Sequence, residues 1–424
     1  MKRKVEKYFS NILNSFLLLH PIIDLVTSVG IKTLSMQISF GAIIRIIFLI
    51  FVIYTVLFVY KEKKVLGYYF LIFIYMIIFG ISIFLYKSGN NLINEFQELI
   101  KAFYFPILLI SLYSVKDRLD INKKNLVSML IMYMILIFIP TLFNIGFDSY
   151  EITKQGSIGF FYSANEISAI ISILTPIFIL YLVDGKNNIR KIIYLIIYIV
   201  VILSVGTKTP FLALIITVVF FIVWFLIKNK IFKSAKKTYI LVLTIIATIT
   251  ILTQLIPKTT FYKNINVHLD FLGVNNISDI FTDTQLIDHF IFSQRLTFLD
   301  DKKNIYDESN AYQKLTGIGY YKENQELKMI EMDYFDIYYN HGVIGFILFF
   351  SVYILVLVQL LRKKGISKNI NTYLTFISII LILVLSLFTG HIIIAPAVSY
   401  ISIYVIMYFE KIMSTTNKKQ FNTT

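Results

Sequence analysis

The chain has 424 residues, of which 57% are hydrophobic and 15% charged, against about 25% charged in an ordinary soluble domain, so a soluble globular class is excluded. The net charge of +15 is spread over short segments between apolar runs, which excludes a basic nucleic-acid-binding domain. No cysteine is present, and disulfides and thiolate metal sites are excluded with it.

Runs of about 20 apolar residues, the length that crosses a bilayer core, occur in order along the chain. They are Phe9–Val29, Ile38–Tyr60, Leu66–Tyr86, Asn94–Val115, Leu126–Ile145, Gly159–Val183, Ile189–Val205, Thr209–Ile227 and Tyr239–Ile256. After a long polar interval come Asp336–Leu361, Tyr373–Thr389 and Ile392–Phe409. The fold expected is an all-α polytopic membrane protein of about twelve transmembrane helices. Its basic start invites comparison with a signal peptide, but no small-residue cleavage pattern follows. The first run also holds His20, Pro21 and Asp24, so it reads as an uncleaved helix.

Basic clusters around Lys4, Lys63, Lys123, Arg190, Lys233, Arg362 and Lys411 all fall on one side of this span order. The opposite short loops hold only Lys32, Lys87, Lys154 and Lys208. Positively charged short loops stay cytoplasmic, which places both termini inside and the long polar loop outside. Residues 1–256 are then transmembrane helices 1 to 9, 257–335 the extracytoplasmic loop between helices 9 and 10, 336–413 helices 10 to 12, and 414–424 a frayed cytoplasmic tail.

Charged residues within spans are costly and mark cavities or partners. Asp24 and Arg45 lie at similar depth and are expected to pair. Glu95, Glu98 and Lys101 follow a spacing of three and share a helix face. Asn165 and Glu166, Lys208 and His391 also fall at the outer ends of spans, while the inner halves are almost free of charge. A secondary transporter needs a polar site near the midplane and two related halves. A one-sided chamber under a long loop suits an enzyme acting on a lipid whose head group lies outside.

The order GFFYSANE, GTKTPFLAL, a long loop with QRLTFL, LTGIGYY and then EMDYFDIYYNHGVIGF resembles the O-antigen ligase/polymerase superfamily. The family's Arg-x-x-x-Leu motif is matched by Arg295 and Leu299, and the glycines of its second motif by Gly342 and Gly345. Glu331 stands where the family's ligases carry His, Met332 where they carry an amide or hydroxyl, and Lys208 where a basic residue, often Arg, closes the turn.

The resemblance implies glycosyl transfer from an undecaprenyl-diphosphate-linked glycan in the bacterial cytoplasmic membrane, without a metal or other cofactor. Polysaccharide export and chain-length proteins are the partners it suggests. Arg295 would grip the diphosphate bidentately, with Lys208 and Arg45 adding charge. Glu331 would be the general base, its pKa raised by partial burial, with Asp333 and then Asp336 as further acids. Asn165, Glu166, Lys101, Glu98 and His391 complete the expected pocket.

Replacement of the family His favours a polymerase of repeat units over a ligase of finished chains, and a flippase is the alternative from another class. Glu331 and Asp333 also allow a reading as an acidic pair for Mg²⁺ or Mn²⁺. Tyr320 and Tyr321 allow either stacking on sugars or packing of the loop on the bilayer surface, whereas His268 and His289 read as ordinary loop residues.

Overall fold

The computed structural model describes residues 2–421 apart from 37–38, 87–91, 151–154, 185–187, 230–259, 275–276, 323–324, 364–365 and 367–368. In a bilayer each backbone amide must find its partner within its own segment, so apolar runs fold as helices. The first eight are α1 (Lys2–Leu34), α2 (Phe40–Tyr54), α3 (Leu66–Tyr86), α4 (Leu92–Ser114), α5 (Lys123–Leu142), α6 (Ala164–Val183), α7 (Ile189–Val205) and α8 (Lys208–Asn229). In the polar interval stand α9 (Thr260–Phe271), α10 (Arg295–Glu308), α11 (Ala311–Thr316) and a small hairpin pairing Tyr321–Lys322 with Gln325–Glu326. The chain closes with α12 (Asp333–Leu361), α13 (Ile370–Phe388) and α14 (Pro396–Phe421).

Nine helices among the described residues are long and apolar enough to cross a membrane, and the protein is an all-α polytopic membrane protein. The expected span Tyr239–Ile256 lies outside the described residues. Helix starts follow local side chains that accept from orphan amides: Ser39 from Ala42, Asn122 from Asn125, Ser163 from Glu166 and Asn369 from Asn371. Gly206 takes a left-handed conformation (φ 71°) to end α7 just before α8. At the other end of the chain, α14 runs on as helix through Phe421, past Ser414, where a frayed tail was expected.

α6 is the most enclosed of the nine candidate spans: 72% of its most apolar stretch is buried, against 17% for α8, which turns most of its surface outward. α6 packs against α13, α8 and α5. The start of α6, where the polar GFFYSANE segment ends, is therefore held among neighbours.

The loop has its own small apolar core of Tyr306, Ile318, Ile330, Met332 and Tyr339, with Leu299 and Phe335 packed against it. Leu299 of the Arg-x-x-x-Leu motif thus anchors α10. A buried ion pair, Lys302 Nζ to Asp336 Oδ1 at 3.3 Å, ties α10 to α12. Asp336 also accepts from the Ile330 and Met332 amides at 3.0 and 3.2 Å. It is almost wholly enclosed, so the role expected of it as a further acid is corrected to a structural one.

α12 is broken at Gly342, whose φ of 65° and ψ of −172° lie outside the helix. The break leaves the Tyr339 and Asn340 carbonyls free to accept from Ile318 N (3.0 Å) and Gly319 N (3.1 Å). A Cβ on Gly317 would meet Asn340 O at 2.0 Å, and one on Gly342 would meet Gly317 N at 2.5 Å. LTGIGYY and NHGVIG therefore interlock backbone to backbone. Glu95, fully buried in α4, fastens the same segment by accepting from the Tyr320 and Tyr321 amides. Of the three residues expected on one face, Glu98 and Lys101 pair with each other, while Glu95 holds the loop.

Candidate active site

Arg295 is the first residue of α10, and its position is set by a residue upstream. Gln294, the N-cap by position, makes no side-chain cap. Asp288 reaches in instead, accepting from Leu296 N and Thr297 N at 2.9 Å each and from Thr297 Oγ1 at 2.7 Å. A carboxylate at a helix N-terminus satisfies orphan donors and favours the dipole. His289, expected to be an ordinary loop residue, braces this turn through Gln294 Nε2 at 3.0 Å. The side chain of His268 lies outside the described residues.

The Arg295 guanidinium gives Nη2 to Glu331 Oε2 at 2.9 Å and Nη1 to Phe292 O at 3.2 Å. Its Nε is buried without a hydrogen-bond partner among the described residues. Glu331 also receives Asn165 Nδ2 at 3.4 Å, and its Oε1 lies 3.8 Å from His391 Nε2. His391 sits in the turn between α13 and α14. Gly390 presses that turn against the Glu331 backbone, where an added Cβ would stand 2.4 Å from Glu331 O.

Asp333 Oδ2 accepts from Ile392 N and Ile393 N at 3.0 and 2.8 Å, and the residue has no exposed surface. Asp333, expected as a catalytic acid or a metal ligand beside Glu331, clamps the His391 turn through Oδ2, while its Oδ1 is buried without a partner among the described residues. Tyr320 is likewise closed, 6% exposed with its hydroxyl 2.8 Å from His341 Nε2. That corrects the expectation of a sugar-stacking face there.

Ser293 (φ 53°), Gln294 (φ 66°), Glu331 (φ 61°) and His391 (φ 58°) all hold left-handed backbone. Such strain costs of order 1–3 kcal/mol per residue and gathers where structure serves function. All three segments that bring Arg295, Glu331 and His391 together carry it.

Burial alone would push the Glu331 carboxyl up, as expected from the sequence. The protonated His391 beside it, then Arg295 and Lys328, outweigh burial and hold it at about 2. The expectation of a raised pKa is therefore overturned. The reverse holds for His391: burial would lower it, but Glu331 first, then Glu166 and Asp333, raise it above the ordinary imidazole value.

Other expected pocket residues continue the cluster inward. Glu166 lies within electrostatic reach of Asp24, His391, Arg45 and Lys101. Arg45 pairs with Asp24, as the sequence suggested, and Asp24 takes the Tyr133 hydroxyl as well. Glu98 joins at the edge through Lys101. At the far end Lys208 donates to Phe290 O, stands 3.9 Å over the Phe290 ring and feels the charge of Arg295. From Asp24 through Arg45, Glu166, His391 and Glu331 to Arg295 the charges alternate in sign, and at Arg295 and Lys208 two cations adjoin.

The family model for O-antigen ligase like membrane proteins matches residues 6–280 and 280–414. The chain belongs to this family. Membership agrees with the resemblance carried by the loop and turn motifs and gives no support to a flippase. This O-antigen ligase-like protein is a multi-pass membrane enzyme of glycan chemistry. A search for individual curated relatives returns no match. In this family member, the residues that sequence reasoning missed are Asp288, Gly390 and Lys302, all of which position other groups.

Proposed function

We propose that the protein is a glycosyltransferase that polymerises oligosaccharide repeat units carried on undecaprenyl diphosphate into a cell-surface polysaccharide. The reaction takes place at the outer face of the bacterial cytoplasmic membrane, with both termini inside and the long loop outside. The Lys and Arg bias of the short loops supports that orientation.

The observation that carries the reading is the end of the charge row. Two neighbouring cations, Arg295 and Lys208, have Glu331 as their one paired carboxylate among the described residues, and a diphosphate supplies further negative charge. The acceptor sugar hydroxyl approaches on the Glu331 side. A bond forms from its oxygen to the donor's anomeric carbon, and the bond from that carbon to the diphosphate oxygen breaks. The lipid diphosphate leaves with the electron pair, its charge held by Arg295 and Lys208, with Arg45 contributing from deeper in the bundle.

Glu331 at the position of the family His favours a polymerase. The family description favours a ligase, which uses the same donor and passes the whole glycan to another acceptor. Asp333 spends Oδ2 on two amides and its Oδ1 is buried without a partner among the described residues, whereas Arg295 and Lys208 supply the positive charge that a diphosphate needs.

The test is transfer in vesicles containing the purified protein and lipid-linked oligosaccharide extracted from cells lacking it. Longer lipid-linked glycans should form in excess EDTA. Product that appears only after Mn²⁺ is restored would overturn the metal-free chemistry. Glycan moving only to a different added acceptor would replace polymerase by ligase.

A further inference from the structure

We infer that His391, not Glu331, takes the proton from the attacking sugar hydroxyl, and that Glu331 acts through it as the carboxylate that orients and charges the imidazole. This rests on the glycosyl-transfer reading and names the proton acceptor within it.

Four features of the site carry the inference. Glu331 is already committed: one oxygen takes Arg295 Nη2 at 2.9 Å and Asn165 at 3.4 Å, and the other faces His391 Nε2 at 3.8 Å. His391 turns Nε2 to the carboxylate, so Nδ1 is the ring nitrogen left to take a proton. The two side chains are 26% and 28% exposed, whereas Arg295 is 9% exposed, so the couple is open while the cation beside it is enclosed.

The backbone is arranged for this contact as well. Glu331 and His391 both hold left-handed φ, Gly390 brings their segments together, and Asp333 fixes the turn through Ile392 N and Ile393 N. A turn serving only to join two helices needs neither a strained imidazole nor a buried carboxylate clamp. Chemically, a carboxylate held at about 2 is a poor proton acceptor at neutral pH, while an imidazole raised by the carboxylates around it is the stronger base of the pair.

In the transfer step the hydroxyl proton passes to His391 Nδ1 as the oxygen bonds to the anomeric carbon. The resulting imidazolium is stabilised by Glu331, and the proton is then lost to the external water. The groups facing His391 are Glu331 from the loop, Glu166 from α6 and Asp333 from α12. Behind them stand Arg295 beside Glu331, and Arg45 and Lys101 beside Glu166.

All three near groups are acidic and favour the protonated ring. Neutral His391 is the active form, so the rate should rise with pH through a value above the ordinary imidazole pKa of about 6.5. Glu331→Gln removes the strongest of these carboxylates, which lowers the imidazole pKa and moves the rise to lower pH.

The experiment measures initial transfer rates from about pH 5 to about pH 9 in vesicles, using lipid-linked oligosaccharide extracted from cells lacking the protein. His391→Asn keeps a residue that tolerates left-handed backbone. It should lower the rate about 10²–10⁴-fold and abolish the acidic limb. Imidazole added to His391→Gly should restore part of the rate, a rescue that a merely structural role would not give.

The inference is overturned if wild type is flat over this range while Glu331→Gln is inactive, or if His391→Asn keeps both rate and limb. An inert wild-type protein at every pH would instead overturn the glycosyl-transfer reading itself.

Discussion

Arg295→Lys lowers transfer about 10²–10³-fold with the amount of protein in the membrane unchanged. The substitution keeps the charge but removes the fork. In the resting site Nη2 is on Glu331, Nη1 is on Phe292 O, and the buried Nε has no partner among the described residues. A planar guanidinium can hold Glu331 and a diphosphate oxygen together, while an ammonium is a single point of charge. Neighbouring Lys208, already donating to Phe290 O, does not replace the lost directionality. Initial rates at matched protein levels measure this. A loss under about threefold would remove Arg295 from the diphosphate contact.

Gly342→Ala has the largest expected effect on structure. Its φ of 65° with ψ of −172° lies in a region essentially restricted to glycine, at a cost of about 1–3 kcal/mol. The new Cβ would also meet Gly317 N and Leu315 O at 2.5 Å, backbone that cannot swing aside. Such overpacking costs about 1–3 kcal/mol more.

The spans should stay inserted while the loop undocks from α12. Even about 2 kcal/mol raises the undocked population about 30-fold, and proteolysis follows that population when opening is fast. Tryptic cleavage at loop sites such as Lys303 and Lys314 should therefore accelerate. Gly67→Ala is the control, since an added Cβ there meets nothing within 4 Å. Equal cleavage of the two variants would show that the glycine interlock does not hold the loop.

Hydropathy and charge made the membrane class legible because bilayer thickness imposes a length and topology imposes an alternation of Lys and Arg. His391, Asn165, Glu166 and Lys208 were legible as polar residues at one end of apolar spans, and Arg295 and Glu331 through the loop motifs that carry the family resemblance. Their mutual geometry was not, since it depends on long-range contacts such as Gly390 on Glu331 and Asp333 on the Ile392 amide.

Asp333 and Asp336 could not be told from Glu331 by residue type. The difference lies in which carboxylates the loop amides consume. Glu331's low pKa was hidden for a related reason: burial was legible, but the neighbouring imidazole sixty residues later was not. Asp288 left one faint signal, an acid shortly before a helix whose own N-cap residue is a poor one. The backbone reversal at Ser293 and Gln294 that brings it into range is invisible in composition.

The most direct measurement is the mass of undecaprenyl-linked glycans in cells lacking the protein, with the sugar pathway otherwise intact. Single repeat units should accumulate on the lipid, and the wild-type chain should clear them where Arg295→Lys does not. Long chains stranded on the lipid would contradict a polymerase and mark a ligase, and an unchanged lipid-linked pool would contradict glycosyl transfer altogether.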